Sequence, residues 1–570
     1  MKLLRTFACA CVLLGAGLPA QAQDDLLNAL PDSTMLIVRV RDTSDLIADF
    51  QKSPFYLKRN EEGFRESTQA IEQHWEQMKA GAREELGIDL GEFLSSVKGD
   101  ITVAIGGMGP VITRLIENAT MGLGAPDVSP DEVPFLVAID TEEGKDAFAT
   151  NWKKILDKAR GEGAKVDSKS FQGGTVTTIS RPEGETDGPE KIFLGELGSR
   201  YLFSLNQEMV ERTMARLKSG GGDGSLSALG SFKASMRETK EGESDLMAFV
   251  NVAGIVAAAD TALRDHSSGI IWTKVRDLFI GRLDALSLTL ALDGQGVFQR
   301  IFAHDGGSKT GILGWFEGNV PPRPSALIPE DTLAYSAMAF RFGKVLSAIR
   351  EIASMAMGGA DIDALVEAQT GIRLGDIERA FGDRVHTLQS QGQTPENPTG
   401  DLTLIFELND EGPINRLLQV VNGMTGGAFA PQKYLGRDLY VLPAAGAPIS
   451  PALMASDKLF VLGFDRSGVE KVVRRIGESS GGLASSPDFQ KVANAFPQDI
   501  VAMSYTNAKL LQDTFSNMGQ IFMLASEGDA PEWLGAFFNN LGHAFDTSTG
   551  YSQWRSAGLF SESKIPFKAQ

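Results

Sequence analysis

The sequence predicts an α+β protein: two tandem copies of a mostly antiparallel, meandering sheet with helices packed on one face. Three observations predict it. Short motifs recur in the same order along the two halves of the chain, β-rich runs are joined by tight turns, and apolar residues between them repeat at helical spacing.

The recurrence is read from matched pairs. Leu30-Pro31-Asp32-Ser33-Thr34 returns as Ile328-Pro329-Glu330-Asp331-Thr332, 298 residues on. Gly87-Ile88-Asp89-Leu90-Gly91 returns as Gly371-Ile372-Arg373-Leu374-Gly375, and Gly99-Asp100 as Gly382-Asp383. Phe135–Asp140 is matched to Leu404–Asn409, Tyr201–Leu205 to Lys458–Leu462, Trp272 to Trp533 and Gly281 to Gly542. The units are therefore expected at 24–320 and 326–570, joined by a Pro-rich linker at 321–325. The first copy carries insertions at Met108–Val133 and Arg181–Pro189.

Within the first unit, Thr34–Val40 reads as a strand. Asp42 onward reads as a helix carrying Leu46, Ile47 and Phe50. Ile101–Ile105 and Phe135–Ile139 are expected strands, and Glu142–Leu156 a helix behind an acidic cap. Phe171–Ile179, Lys191–Leu197 and Arg200–Leu205 read as three short strands, and Gln207–Lys218 as a helix. Asp245–Val250 leads into a long helical stretch ending at Phe279. Leu283–Leu292 and Val297–His304 form a hairpin around Asp293-Gly294-Gln295-Gly296.

The N-terminus has the form of a secretory signal over residues 1–22. Lys2 and Arg5 precede an uncharged run, Phe7–Leu18, and Ala20-Gln21-Ala22 is an A-x-A cleavage site. Cys9 and Cys11, the two cysteines of the 570-residue chain, lie in that run, so a mature chain beginning at Gln23 has none and can form neither disulfide nor thiolate metal site. Its net charge of −21 repels nucleic acid and anionic lipid. No later segment is apolar for long enough to span a bilayer. The expected location is periplasmic or extracellular.

The LPxDT-like opening, the LGxDL…GD turn and the short strands ending in a hydrophobic helix resemble a family of uncharacterised exported bacterial proteins, classed as a domain of unknown function. The resemblance covers most of both halves. It implies envelope localisation and a repeated α+β unit, and it carries no catalytic residue.

Motifs with chemical meaning are sparse. Gly99-Asp100 and Gly382-Asp383 read as turns, with glycine at positive φ and aspartate hydrogen-bonding locally. Asp140-Thr141-Glu142-Glu143-Gly144 departs from a calcium loop, since its twelfth position is Asn151, and reads as helix capping. Gly107-Met108-Gly109 lacks the third glycine of a dinucleotide loop, and Gly306-Gly307-Ser308-Lys309-Thr310 lacks the Gly-Lys pair of a phosphate loop. Gly477-Glu478-Ser479-Ser480-Gly481 matches G-x-S-x-G but follows a helix instead of a strand. Of His74, His266, His304, His386 and His543, no two have zinc-ligand spacing. His304-Asp305 and His543 with Asp546 come nearest to a base with an orienting carboxylate. No catalytic, cofactor-binding or metal residue is assigned.

The heaviest apolar load falls late in each unit: Phe515, Met518, Ile521, Phe522, Trp533, Phe537, Phe538, Leu541 and Phe545 in the second, Ile271, Trp272, Val275, Leu278 and Phe279 in the first. These residues are expected to cover the sheet, with Trp533 inaccessible. The function read from the sequence is non-enzymatic binding or scaffolding, with an unidentified protein or apolar ligand as partner. A carrier of lipid or other apolar ligands is one alternative. A hydrolase whose site no motif reveals is the other. An apolar cavity of roughly 300 Å³ or more favours the carrier, and a cleft joining histidine, carboxylate and hydroxyl favours the hydrolase.

Cleavage after Ala22 predicts Gln23 as the first residue of the mature protein. Intact-mass and N-terminal peptide measurements on protein made in a secreting host check this; a retained Met1 or an acylated cysteine would contradict it.

Overall fold

The computed structural model describes residues 25–41, 43–57, 59–60, 65–121, 132–184, 189–264, 269–390, 401–428, 431–442, 450–525, 538 and 542–568. The proposed signal, residues 1–22, lies outside them. The strands of the first half are β1 (Leu36–Val40), β2 (Ile101–Ile105), β3 (Phe135–Asp140), β4 (Lys165–Phe171), β5 (Gly174–Ser180), β6 (Lys191–Leu197), β7 (Arg200–Ser204), β8 (Leu246–Asn251), β9 (Ala285–Asp293) and β10 (Gly296–His304). Those of the second are β11 (Thr332–Ala339), β12 (Phe381–Ser390), β13 (Asp401–Leu408), β14 (Pro431–Tyr434), β15 (Arg437–Val441), β16 (Ala452–Ser456), β17 (Leu459–Gly463), β18 (Ala502–Thr506), β19 (Ser548–Arg555) and β20 (Gly558–Pro566).

All twenty belong to one antiparallel sheet. Its hydrogen-bonded order is β4-β5-β6-β7-β3-β2-β1-β8-β9-β10, followed by β20-β19-β18-β11-β12-β13-β17-β16-β15-β14. The α+β class and the antiparallel sheet agree with expectation. Strands on either side of residues 321–325 share this sheet through the β10–β20 ladder, which runs from Gly296↔Pro566 to His304↔Gly558.

The expectation of helices on one face is corrected. Neighbouring residues of one strand point to opposite faces, and here both faces are covered. On β3, Leu136 and Ala138 join Ile37, Phe193, Leu202 and Phe249 against Met209, Val210 and Met214 of the helix Gln207–Ser219. Val137 and Ile139 point the other way. They join Ile101, Leu194 and Phe203 against Phe148, Trp152 and Ile155 of the helix Lys145–Gly161. The second half repeats the division. Tyr335, Ile405, Val461 and Met503 pack on Val469, Val472 and Val473 of the helix Arg466–Arg474. Leu408, Tyr440 and Ala455 pack on Ile377, Ile414 and Leu418 of the opposite layer. Each large side chain so buried contributes about 1.5–3 kcal/mol.

Local expectations met mixed outcomes. The Ala285–Asp293/Gly296–His304 hairpin turns at Gly294-Gln295 as expected. Lys165–Phe171 is a strand that polarity concealed; it forms a hairpin with β5, so four strands stand where three were expected. The helix expected from Glu142 starts as a 3-10 turn and becomes α-helical at Lys145. The turn reading of Gly99 and Gly382 is also corrected. Neither has positive φ. A Cβ on Gly99 would lie 2.9 Å from that of Asp140, and one on Gly382 would lie 3.0 Å from the Glu407 carbonyl, so both glycines serve close approach to the neighbouring strand. Positive φ belongs instead to Gly87 and Gly371, each ahead of a short helix, Leu90–Ser95 or Leu374–Ala380.

Glycine also sets the junction ladder. A Cβ on Gly296 would meet the Ile565 carbonyl at 2.5 Å, and one on Gly558 would overlap the Ala303 carbonyl. Gly558→Val is therefore expected to cost about 1–3 kcal/mol through forced separation of β10 and β20. Gly230→Ala, at a position with open space around it, should be near neutral. Denaturant unfolding of the two variants checks the contrast.

Candidate functional site

Five strands around the junction, β10, β20, β19, β18 and β11, leave part of one face open as a shallow concavity of about 260 Å³. Its floor is set by register. One row runs Gln299, Ser563, Gly550, Ser504 and Ser336; the next runs Ile301, Ser561, Ser552, Ala502 and Met338. Alternation puts these side chains on one face. Ser552 and Ser561 share a hydrogen bond of 2.7 Å, and Ser563 donates to Gln299 Oε1 at 3.3 Å. Gly550 keeps the floor low, since a Cβ there would stand 2.7 Å from Ser504 Oγ. Toward β9 the same face turns apolar: Leu288 pairs with Ile301, and Leu286 and Ile301 are 38% and 39% exposed. The floor therefore offers uncharged hydroxyl and amide groups beside an aliphatic margin.

A second polar group lies on the opposite face of the second half. Tyr335 Oη is 3.0 Å from His386 Nδ1, and His386 Nε2 is 3.5 Å from Glu407 Oε1. Arg384 Nη1 reaches the same carboxylate oxygen at 3.5 Å, while its Nε donates to the Asn319 carbonyl at 3.3 Å. Burial pushes the Tyr335 hydroxyl far above its ordinary pKa. The hydrogen bond from His386, with the Arg384 charge, holds the Glu407 carboxyl below the usual range although its partial burial acts the other way. Tyrosine, histidine and carboxylate thus converge; Tyr335 and His386 are buried, whereas the Arg384 and Glu407 side chains are 40% and 37% exposed.

The first half holds charged pairs on the same neighbouring strands. Arg39 Nε donates to Asp100 at 2.8 Å, and Arg200 Nε to Asp140 at 3.0 Å. Glu241 lies 3.5 Å from Arg39 and 3.4 Å from Arg41. Asp100 therefore bonds across the sheet to Arg39, correcting the local bond expected of it. Arg39, Asp100, Asp140 and Arg200 border a cavity of about 20 Å³, the size of one water molecule.

The histidine pairs read from sequence are not assembled. His304 Nδ1 lies 3.3 Å from Asp284, while Asp305 accepts the N–H groups of Gly307 and Lys309. His543 faces Gln512 at 3.1 Å, and Asp546 accepts the N–H of Thr547. His386 was legible as a histidine only; its partners arrive from β11 and β13, and no local spacing announces them. Asp140 accepts the N–H of Glu142 in a local turn and also binds Ser199 and Arg200, while neither the 3-10 turn Glu142–Gly144 nor the helix Lys145–Gly161 has a side-chain cap, so the capping expectation is corrected. The G-x-S-x-G segment follows the helix Arg466–Arg474, with Gly477 and Gly481 at positive φ.

The aromatic-helix expectation is corrected in the first half. The helix Gly269–Val275 has no buried residue, Ile270 is 73% exposed, and Trp272 donates to Asp260 at 2.7 Å. Asp260, Arg264, Trp272 and Arg276 border an open hollow of about 500 Å³, whose charged rim differs from the apolar cavity expected of a carrier. Trp533, Phe537 and Leu541 lie outside the described residues, and so does His266. Among the described residues, no cluster of three metal-ligating side chains occurs, and no helix is long and apolar enough to cross a membrane.

Comparison with protein-family models, with curated proteins and with solved structures finds no match to this chain.

Glu407 generates a prediction. Its folded pKa is depressed, so it stabilises the fold above the ordinary carboxylate range, about 4.3, and that stability is lost as pH falls through the folded pKa. Denaturant unfolding between about pH 6 and 3 should show a smaller loss for Glu407→Gln than for the natural chain. His386→Ala should cost about 1–3 kcal/mol at neutral pH by leaving the buried Tyr335 hydroxyl without this hydrogen-bond partner.

Proposed function

We propose that this is an exported, non-enzymatic binding protein, built from two copies of one α+β unit, that holds an uncharged ligand on the open floor at their seam. The observation that carries it is the arithmetic of the ladders. Moving 262 residues along the chain takes the pair Thr289↔Arg300 onto Tyr551↔Glu562. The junction itself pairs Arg300 with Glu562, the residue 262 positions later, and their side chains meet at 2.9 Å. Two like strands paired about a local twofold have this property. The strand orders support the same reading: numbered from its own start, each half runs 4-5-6-7-3-2-1-8-9-10.

The floor sits at that seam, and a concave sheet at the meeting of two units is a usual place for a ligand. Its groups can orient a neutral polar ligand by hydrogen bonds, while Leu286, Leu288 and Ile301 take up apolar surface. This margin favours the carrier of apolar ligands as the second reading. Envelope or extracellular location rests on the signal-like N-terminus and on the resemblance to exported proteins.

Native mass spectrometry of protein recovered from its own compartment tests the reading. A bound neutral small molecule should be retained by the natural chain and lost from Ser504→Phe, which fills the floor. Identical spectra for the two, with both folded, would overturn it.

A further inference from the structure

The sheet has two ends, and they are built differently. Among the described residues, β4 pairs only with β5 at one end, and β14 only with β15 at the other. An end strand presents a row of unused N–H and C=O groups. The turns tell which residues carry that row. Both hairpins turn on two residues at positive φ, Gln172 (51°) with Gly173 (83°) and Leu435 (48°) with Gly436 (83°). Residues flanking such a two-residue turn form a hydrogen-bonded pair, and hydrogen-bonded pairs alternate along the ladder. Phe171, Lys169, Asp167 and Lys165 therefore direct their backbone groups to β5, and Ser170, Ser168 and Val166 direct theirs outward. On β14 the outward residues are Lys433 and Pro431, and proline has no N–H to offer. One edge is blunted and four residues long; the other is seven residues long and free of proline.

We propose that β4 pairs antiparallel with β4 of a second copy of this chain, about a twofold axis through Ser168. Ser168 then faces Ser168, and Val166 faces Ser170 on either side of the axis, each pair exchanging two N–H···O bonds. The intervening non-hydrogen-bonded pairs, where side chains stand closest, set Asp167 of each copy against Lys169 of the other. Moving the axis one residue either way sets Asp167 against Asp167 or Lys169 against Lys169, which is destabilising. Moving it two residues runs the pairing into the Gln172-Gly173 turn or off the strand's start. The Lys-Asp-Lys pattern that repels an unrelated strand is thus self-complementary in a single register.

Asp167, Ser168, Lys169 and Ser170 are exposed. Within one chain Asp167 is met by Lys165 at 3.0 Å and Lys169 by Glu211 at 2.6 Å, exposed ion pairs that cost little to share. Because the opposite edge is blunted, pairing closes at two copies instead of propagating. One strand pair buries less than a standard interface, so the association belongs to the weak class.

Sedimentation equilibrium of the full chain, at concentrations up to the order of 10⁻⁴ M, tests this. The natural chain should approach twice the monomer mass. Asp167→Lys sets positive against positive and Lys169→Asp negative against negative, so each variant alone should be monomeric, as should Ser168→Pro. An equimolar mixture of Asp167→Lys and Lys169→Asp restores opposite charges across the axis and should recover the doubled mass. Unchanged thermal melts show that the variants fold. A natural chain that stays monomeric, assemblies larger than two, charge variants that dimerise alone, or a mixture that fails to associate would each overturn the proposal.

Discussion

The β10–β20 ladder is the constraint on which the rest of the structure depends. It joins two ten-strand series into one sheet through nine backbone pairs, from Gly296↔Pro566 to His304↔Gly558. The Arg300–Glu562 ion pair lies at its middle, and glycine at each strand's start lets the backbones approach. Without it each series would expose a long free edge, the arrangement most prone to unwanted pairing. With it, the open floor acquires strands from both halves, because Gln299 and Ile301 come from one and the serines from the other.

A sheet covered on both faces places opposite demands on neighbouring residues. Leu136 and Val137 are adjacent in the chain, yet they belong to different cores. The same alternation explains where polar groups could be retained. Near the β2–β3 and β12–β13 contacts both halves carry charged or hydrogen-bonded groups, Arg39–Asp100 and Asp140–Arg200 in one and Tyr335–His386–Glu407 in the other. Most buried polar atoms in folded proteins have hydrogen-bond partners. These groups tie neighbouring strands together through the buried Arg39, Tyr335 and His386, whereas the serines line the open floor.

Several expectations failed for an identifiable reason. β4 was hidden because Lys165, Asp167 and Lys169 resemble a loop, while an edge strand needs few apolar residues. Gly99 read as a turn glycine, since sequence cannot show that Asp140 approaches its Cα. The apolar run through Trp272 read as a sheet cover, yet hydropathy gives no information on where the helix Gly269–Val275 rests, and Ile270 remains exposed.

By itself the sequence determined the α+β class, the hairpin at Gly294-Gln295, the helices that follow Asp42, Glu142 and Gln207, and the order of the matched motifs, because these depend on local period, turn chemistry and spacing. Only the tertiary structure decided that both faces are covered, that the two halves share one sheet, and that His386 meets Tyr335 and Glu407. Those outcomes depend on strand register, which brings together residues tens to hundreds of positions apart. Ser336, Ser504, Ser552, Ser561, Ser563 and Gln299 are ordinary polar residues in the chain and become a surface only when five strands align them.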